Sequence, residues 1–479
     1  MYISKFEVKS FRCFIKKQTL SFAIPKNKKV GSGLTFLVGE NNSGKTSLLE
    51  AMKFSAADNN IDSSTLRSSD ILNSSIRFAF YDMNSKVVQQ LSLLHKDACV
   101  LKNTGANLSN PPIFIPSRRY WSPQVLNQYP SNQPTPFSHR NTSLRRQIND
   151  GAFNDSTIAD YFNKIQLDNR KRNKFLKLMR SVFPNFQSFT AEHEDRIYIT
   201  YKTTDNQIRH RVDFLGDGVS SVMLILAYLM NSNNKSMLVI DEPELSLHPT
   251  AQKRLIKLLA KQSYKRQILI ATHSPYMVDW EYIKNGARVN RLVHDGKESN
   301  IYKLQEYSIY QKLVHADNWH HPFNSNIMAK EIFFSDKILF TEGKDDACLL
   351  SNDGQLNDDI NIFSYGVGGC ESFKLALTLA NDIGIQKAAV IIDGGERESK
   401  IAKQLEKDFG KYLIVQWNRH DIRDKDGRRE DLKDEADQSG KYYPPVEGYF
   451  TTKGKRKPDE SLDDYYEKMQ KINQYFLQK

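Results

Sequence analysis

The chain has 479 residues, more than one hydrophobic core ordinarily organises, so we expect two domains. Its formal net charge of +12 favours polyanionic partners such as nucleic acid, because lysine and arginine contacts to phosphates release counterions. The sequence has no apolar run of about 18 residues, which argues against a membrane-spanning helix, and its N-terminus does not have the apolar segment of a signal peptide. Four cysteines without a CxxC pair argue against a zinc site or a disulfide framework and indicate a cytoplasmic protein.

A phosphate-binding motif follows a short apolar run near the N-terminus. Residues 34–38 predict a buried strand, residues 39–46 (GENNSGKT) match G-x-x-x-x-G-K-[ST], and the segment after them is helical in character. In that context backbone N–H groups surround phosphates at the positive end of a helix. We expect Lys45 to reach the β- and γ-phosphates of ATP and the Thr46 hydroxyl to hold Mg²⁺. The nucleotide-binding residues predicted in this loop are Gly39, Asn42, Gly44, Lys45 and Thr46.

Two later strands carry the other groups expected around the nucleotide. Residues 236–242 predict a buried strand that ends at Asp241 and Glu242. We expect Asp241 to contact the Mg²⁺ ion and Glu242 to orient or deprotonate the attacking water. The strand predicted at 268–272 leads to His273, in the position of a γ-phosphate sensor.

A glycine-rich segment between these features resembles the signature loop of ABC ATPases. Gly216 and Gly218 lie in FLGDGVSS, directly before an apolar helix. In that family the signature loop serves the nucleotide of the opposite head. The resemblance therefore implies a homo-oligomer, a dimer or a larger assembly, formed through the ATPase heads. The N-terminal segment FEVKSFRCF is similar to RecF and SMC-like heads, which implies that Arg12 lies near the nucleotide.

A second block of alternating strands and helices begins near Lys337. One predicted strand ends at Glu342, with Asp346 four residues later, and another ends at Asp393. Parallel αβ sheets build their sites at the carboxyl ends of the strands, so we expect these carboxylates to lie together. Clustered carboxylates bind a divalent metal that polarises a phosphodiester and activates water. The pattern resembles the Toprim domain of topoisomerases, primases and OLD-family nucleases.

One position departs from the Toprim pattern. Where that pattern has Asp-x-Asp, this chain has Asp393-Gly394-Gly395, so one metal ligand is missing. Glu396 and Glu398 are candidate replacements, and we predict Glu396 in the metal site. The alternative is a degenerate Toprim domain that does not cleave.

An ABC-type head followed by a Toprim domain resembles the OLD (overcoming lysogenisation defect) family of ATP-dependent nucleases, found in Gabija and retron-associated antiphage defence. The resemblance implies an α/β fold, with a RecF/SMC-like ATPase head that carries a helical insertion and a Toprim Rossmann-like domain after it. It implies ATP and Mg²⁺ as cofactors, with Mn²⁺ as an alternative at the Toprim site. DNA is the expected substrate rather than RNA, and a retron reverse transcriptase–nucleic-acid complex is a candidate partner. Family members often use a lysine near the C-terminus, for which Lys453, Lys455 and Lys457 are candidates.

These patterns predict an ATPase domain at 1–280, with a helical insertion at about 140–183 that serves dimerisation, a linker at 281–335, and a Toprim domain with a C-terminal tail at 336–479. The predicted function is an ATP-regulated, metal-dependent endonuclease of bacterial antiphage defence. The alternative is an ATPase sensor or scaffold whose second domain recruits or controls a partner effector. An SMC-like DNA tether is disfavoured, because the roughly 170 residues between the phosphate loop and the signature segment are too few for a long coiled coil.

Overall fold

The protein forms two compact units, Met1–Lys303 and Leu304–Lys479. The structure is a computed structural model. The residues that it describes are 2–56, 76–93, 101–104, 108–117, 155–193, 197–204, 210–211, 217–304, 328–363, 366–426, 428–429, 442–458 and 462–478.

A six-stranded sheet forms the main layer of the first unit. Its strands, in spatial order, are β14 (Ser299–Lys303), β13 (Arg288–His294), β3 (Leu34–Gly39), β12 (Ile268–Thr272), β11 (Leu238–Asp241) and β7 (Ile113–Ile115). Neighbouring strands run parallel, except that β14 is antiparallel to β13. Every residue of β3, β11 and β12 is buried, which explains why each of these strands is a nearly continuous apolar run in the sequence.

An antiparallel sheet packs beside the main sheet through helix α1 (Lys45–Ala56). Its strands, in spatial order, are β2 (Gln18–Ser21), β1 (Ile3–Lys9), β4 (Ile76–Asp82), β5 (Val87–Leu93) and β6 (Leu101–Thr104). Leu48 and Met52 of α1 share one buried cluster with Phe78 of this sheet and Leu269 of the main sheet. The helix that follows the phosphate-binding motif is therefore fixed by a core on both sides.

Helices and a small third sheet complete the first unit. The elements are α2 (Asp155–Leu167), α3 (Asn169–Val182), β8 (Phe186–His193), β9 (Ile197–Thr203), β10 (His210–Arg211), α4 (Asp217–Asn231) and α5 (Pro249–Ser263). The ring of Phe175 packs against those of Phe162 and Phe189, with centroids 5.8 Å and 4.9 Å away. Of the helical insertion predicted at 140–183, the structure shows two helices between 155 and 182, and residues 140–154 lie outside the described residues. Its role in dimerisation stays a prediction.

The structure corrects the linker predicted at 281–335 in both parts of it that are described. Residues 281–303 form most of helix α6 (Trp280–Asn285) and all of β13 and β14, and β13 pairs directly with β3. The apolar pattern of β13 is interrupted by the polar residue Asn290, so the sequence did not predict this strand. Asn290 is nevertheless fully buried, because its amide forms two hydrogen bonds with the backbone of Ser21, at 3.1 Å and 3.0 Å. Met328–Phe334 forms a 3₁₀ helix of the second unit.

A parallel four-stranded sheet organises the second unit. Its strands, in spatial order, are β16 (Asn361–Ile362), β15 (Lys337–Phe340), β17 (Lys387–Ile392) and β18 (Leu413–Gln416). The helices are α7 (Lys344–Asp353), α8 (Phe373–Asp382), α9 (Glu396–Asp408) and α10 (Asp463–Leu477). A short antiparallel pair, β19 (Arg428–Arg429) and β20 (Tyr442–Tyr443), lies after β18 in the chain. Strands and helices alternate as the sequence predicted, so the predicted α/β class is confirmed.

The C-terminal helix α10 is part of this core. Tyr465 is fully buried, and its ring stacks on that of Trp417 with centroids 5.6 Å apart. Met469 and Tyr449 belong to the same buried cluster. The aromatic residues of the predicted tail therefore stabilise the fold. No helix in the described part of the chain is both long and apolar enough to cross a bilayer.

Candidate nucleotide and carboxylate sites

The phosphate-binding motif lies at the carboxyl edge of the main sheet, between β3 and α1. Gly39 and Gly44 have φ angles of 151° and 102°, in a region that residues with a side chain rarely adopt. A Cβ atom on Gly39 would lie 2.4 Å from the carbonyl oxygen of Leu292, and one on Gly44 would lie 2.7 Å from Sγ of Cys13. Both backbone conformation and close packing therefore require glycine at these two positions.

Lys45 closes the loop on itself. Its ammonium group donates hydrogen bonds to the carbonyl oxygens of Gly39 and Glu40, at 2.9 Å and 2.7 Å. Burial lowers the pKa of Lys45 to about 8. Asn42 has a φ of 62°, and both Asn42 and Thr46 are exposed on the loop. The loop thus offers one buried cation and an open hydroxyl at the N-terminus of α1.

Asp241 and Glu242 lie beside this loop because β12 is the only strand between β3 and β11 in the spatial order of the described sheet. The backbone N–H of Glu242 donates to the carbonyl of Ala271 at 2.8 Å. Both carboxylates counteract the effect of burial on the pKa of Lys45, which shows that their charges reach the loop. Glu242 has a φ of +44°, a left-handed conformation that costs about 1–2 kcal/mol in a residue with a side chain.

His273 completes the group, and Glu244 fixes it in place. Nε2 of His273 lies 3.5 Å from Oε1 of Glu242. Oε1 of Glu244 accepts two hydrogen bonds of 2.7 Å, from the Thr272 hydroxyl and from the His273 backbone N–H. Burial, and then the charge of Lys45, lower the pKa of His273, which favours the neutral imidazole. The sequence analysis did not identify Glu244, although its position two residues after Glu242 was available as a signal.

The predicted signature segment is described only from residue 217 onward. Gly218 lies in the first turn of α4, and a Cβ atom there would lie 2.5 Å from the carbonyl oxygen of Ser246. The start of α4 therefore packs against the segment that follows Glu242. Gly216 lies outside the described residues.

The side chain of Arg12 contacts helix α1. Arg12 adopts a φ of 48°, and its Nη1 lies 2.5 Å from Oε2 of Glu50 in that helix. Both side chains are about one third exposed (32% and 35%), so the ion pair is open to solvent. Arg12 is close to the helix that begins at the phosphate loop, as its predicted place near the nucleotide requires.

In the second unit, three predicted carboxylates lie near the carboxyl edge of the sheet. Glu342 lies two residues after the end of β15 and Asp393 directly follows β17, and these two strands are adjacent and parallel. Asp346 lies in the first turn of α7, where its Oδ2 accepts the backbone N–H of Gly343 at 2.8 Å. Oε2 of Glu342 is buried and has no hydrogen-bond partner among the described residues. A buried carboxylate oxygen without a donor is costly, so the site is one that a cation would complete.

Burial and mutual repulsion raise the pKa of these acids. Burial, with the charges of Asp346 and Glu342, raises the pKa of Asp393 to about 8. Burial, with a smaller contribution from Glu342, raises the pKa of Asp346 to about 6. Burial, and then the charge of Glu398, raise the pKa of Glu342. In the described part of the chain, no three His, Cys, Asp or Glu side chains form a set that could hold a metal ion.

Lys425 supplies positive charge to this site, and the sequence analysis did not identify it. Its charge counteracts the raised pKa of Glu342, Asp346 and Asp393. Its exposed ammonium group forms an ion pair with the buried carboxylate of Asp421.

The three lysines proposed from the sequence are placed differently. Lys457 lies 2.8 Å from Oδ1 of Asp424, and Lys453 and Lys455 are exposed on the surface. Because Lys425 comes some thirty residues earlier than these, position near the C-terminus did not reveal it.

Glu396 and Glu398, the two candidates for the missing acid, differ in exposure and in their distance from Gly395. Gly395 precedes α9, and Glu396, the predicted replacement ligand, is exposed in the first turn of that helix. Glu398 is partly buried, and its Oε2 would lie only 1.9 Å from a Cβ atom placed on Gly395. The structure therefore puts Glu398, rather than Glu396, beside the position of the second Toprim acid.

Comparison with known proteins relates the chain to three curated proteins. They are the Septu protein PtuA of Bacillus thuringiensis (22% identical over 57% of this chain and 73% of that protein), the OLD nuclease of Thermus scotoductus (25% over 36% and 35%) and the endonuclease GajA of Bacillus cereus (29% over 43% and 34%). The matches to the OLD nuclease and GajA span about a third of those proteins. The resemblance to OLD-family proteins is confirmed by these relationships.

A solved SMC head, bound to the C-terminal winged-helix domain of ScpA, is similar to 64% of this chain and 98% of its own, with 15% identity and a TM-score of 0.44. The family model described as "AAA domain, putative AbiEii toxin, Type IV TA system" matches residues 34–279. That range begins at β3 and contains the phosphate loop, Asp241, Glu242 and His273. The chain belongs to this AAA-domain ATPase family.

Proposed function

We propose that this protein is an ATP-regulated, metal-dependent nuclease of bacterial antiphage defence. The observation that carries the proposal is the group of carboxylates formed by buried Asp346 and the half-buried Glu342 and Asp393, with one buried, unpartnered oxygen on Glu342 and raised pKa values. Perturbed carboxylates at the carboxyl edge of a parallel sheet are typical of a catalytic site. The relationships to an OLD nuclease and an endonuclease support the same activity.

The carboxylates fit a divalent cation. Mg²⁺ and Mn²⁺ prefer carboxylate oxygens. The buried Oε2 of Glu342 has no hydrogen-bond donor among the described residues, and a cation would take the place of that donor. We assign Glu342, Asp346 and Asp393 to hold it. When bound, the cation polarises the phosphodiester and lowers the pKa of an attacking water.

The other side chains of the site position these acids and the substrate. The strand ends of β15 and β17 fix Glu342 and Asp393, and the N–H of Gly343 orients Asp346. Lys425 is exposed beside the acids, where its charge would contact a phosphate of the nucleic acid. We assign DNA as the substrate in preference to RNA, as the OLD resemblance implies.

The head supplies the ATP-dependent step. Lys45 would exchange the carbonyls of Gly39 and Glu40 for phosphate oxygens of ATP. Glu242 would accept a proton from the attacking water, with His273 beside it and in contact with the γ-phosphate. Thr46 and Asp241 would hold Mg²⁺, which neutralises the phosphate charge.

Completion of the nucleotide site requires a second head. We assign Gly216 and Gly218 to the nucleotide of an opposing head, so that ATP binding assembles a homo-oligomer. Arg12 would lie near the nucleotide of its own chain, beside α1. Assembly would then control cleavage in the second unit, with the energy of hydrolysis used for regulation rather than for cutting.

The test is cleavage of supercoiled DNA with Mg²⁺ or Mn²⁺ by purified full-length protein. Glu342→Ala and Asp393→Ala are expected to abolish cleavage, while fluorescent-nucleotide titration shows unchanged ATP binding. Glu396→Ala is the matched control, since this acid is exposed on the neighbouring helix. If both variants cut as well as the natural protein, the nuclease proposal is wrong.

A second candidate function is an ATPase sensor or scaffold with a non-cleaving second unit. Gly395 favours it, because the Toprim pattern has an acid there. Such a protein would recruit or control an effector, for example a retron reverse transcriptase–nucleic-acid complex. Phage challenge of cells that carry Glu342→Ala separates the two functions: protection that persists supports the scaffold, and protection that is lost supports the nuclease.

A further inference from the structure

Gly395 is not required by the backbone. Its φ and ψ angles of −84° and 164° lie in the extended region that any residue adopts. The residue is the N-cap of α9, a position where aspartate and asparagine are favoured over most residues. Local conformation therefore permits the aspartate of the Toprim pattern.

The space beside Gly395 holds the carboxylate of Glu398. A Cβ atom on Gly395 would lie 1.9 Å from Oε2 and 3.0 Å from Cδ of Glu398. Two non-bonded atoms cannot approach to 1.9 Å, so any side chain at 395 would have to displace this carboxylate. Glu398 thus occupies the space that the side chain of a residue at 395 would fill.

Glu398 also faces the other acids of the site. Its charge is the second cause, after burial, of the raised pKa of Glu342, and it contributes to that of Asp393. Its Oε1 lies 4.0 Å from Sγ of Cys370, whose pKa is raised by burial and by the charges of Glu342 and Glu398. Glu396 is exposed, and it is not among the largest causes of the shifts of Glu342 and Asp393.

We propose that Glu398, which reaches back from the first turn of α9, is the metal ligand that replaces the aspartate absent at position 395. This inference rests on the proposed metal-dependent nuclease. The second carboxylate of the site is then supplied by a residue three positions later in the chain. The site therefore keeps the negative charge that a divalent cation requires.

Helix capping is the competing explanation for this conformation. Glu398 is the third residue of α9, and a glutamate there can accept the N–H of the N-cap residue. Glutamine caps equally well but carries no charge. Glu398→Gln therefore preserves a capping role and removes a ligand role.

The experiment is a Mn²⁺ titration of the full-length protein without nucleotide, followed by the electron paramagnetic resonance of free Mn²⁺. Glu398→Gln should weaken Mn²⁺ binding by about tenfold or more. In EDTA the same variant should unfold at a higher temperature than the natural protein, because one negative charge leaves a repulsive group. Glu396→Gln, the matched control, should equal the natural protein in both measurements.

A swapped variant keeps the test decisive if the single change disturbs folding. Gly395→Asp combined with Glu398→Ala clears the space and returns an acid to position 395, so Mn²⁺ affinity should recover. Natural Mn²⁺ affinity in Glu398→Gln, or no recovery in the swapped variant, overturns the proposal. Asp393→Asn tells the two failures apart. If Asp393→Asn loses Mn²⁺ binding but Glu398→Gln does not, the metal site exists without Glu398. If Asp393→Asn also binds Mn²⁺ normally, the proposed function is wrong as well.

Discussion

Each of the two units has its candidate site at the carboxyl edge of a sheet of parallel strands, but the charges at the two sites are arranged differently. In the head, Asp241 and Glu242 lie beside buried Lys45, whose pKa they help to maintain, with His273 adjacent. In the second unit, the carboxylates near Glu342 raise one another's pKa and have an exposed lysine for compensation. The head can accept an anion such as a nucleotide phosphate, whereas the second site calls for a cation. The predictions below test this contrast.

The largest expected effect concerns Glu242, the carboxylate that we propose activates water in the head. Glu242→Gln should lower ATP hydrolysis by roughly 10²–10⁴-fold, since it removes the proton acceptor. ATP binding should remain, because the amide is isosteric and Lys45 is untouched. Single-turnover hydrolysis and nucleotide titration measure the two quantities, with exposed Glu281→Gln as the control. Unchanged hydrolysis in Glu242→Gln would remove this residue from the mechanism.

The second prediction concerns the cation site. Without nucleotide, Mn²⁺ at 100 times its dissociation constant should stabilise the natural protein against unfolding by about 2.7 kcal/mol. Asp393→Asn should lose this stabilisation, because the group of carboxylates loses a ligand and a charge. Chemical denaturation with Mn²⁺ and with EDTA measures the difference. Equal stabilisation of both proteins would show that Mn²⁺ binds elsewhere.

The third prediction tests Glu244 as a positioning residue for His273. Glu244→Ala removes the acceptor of two hydrogen bonds, to Thr272 and His273. A loss of about 1–3 kcal/mol in positioning corresponds to a fall of roughly 5- to 160-fold in kcat for ATP hydrolysis. Glu244→Gln should retain most of the rate, since its amide oxygen still accepts both bonds. If Gln and Ala reduce kcat equally, the carboxylate has a role other than positioning.

The smallest expected effect concerns Lys425. Lys425→Gln should weaken DNA binding similarly for all sequences and reduce the slope of log affinity against log salt by about 1. Lys457→Gln should leave that slope unchanged, because the Lys457 side chain is only 18% exposed where it pairs with Asp424, whereas that of Lys425 is 51% exposed. Fluorescence anisotropy at several salt concentrations measures both. A reduced slope for Lys457→Gln alone would return the role to the C-terminal lysine.

The sequence located features that depend on local pattern. Apolar runs that end at glycine or polar residues predicted four strands. These strands lead to the phosphate loop, Asp241, Glu342 and Asp393. These elements make parallel sheets, whose strand ends gather the predicted residues without further information.

Features that depend on tertiary contacts could not be found in this way. Strand β13 contains buried Asn290, whose amide is hydrogen-bonded to the backbone of Ser21, far away in the sequence. Lys425 comes near the acids through the fold, and no motif marks its position. The sequence offered both Glu396 and Glu398, and only the fold shows that Glu396 is exposed while Glu398 lies beside Gly395.

The most direct test of the account is cleavage of supercoiled DNA by the full-length protein in Mn²⁺ and in EDTA, with Asp393→Asn assayed in parallel. The account predicts nicked or linear DNA with the natural protein in Mn²⁺, and intact DNA in EDTA and with Asp393→Asn. Cleavage by Asp393→Asn at the natural rate would contradict it.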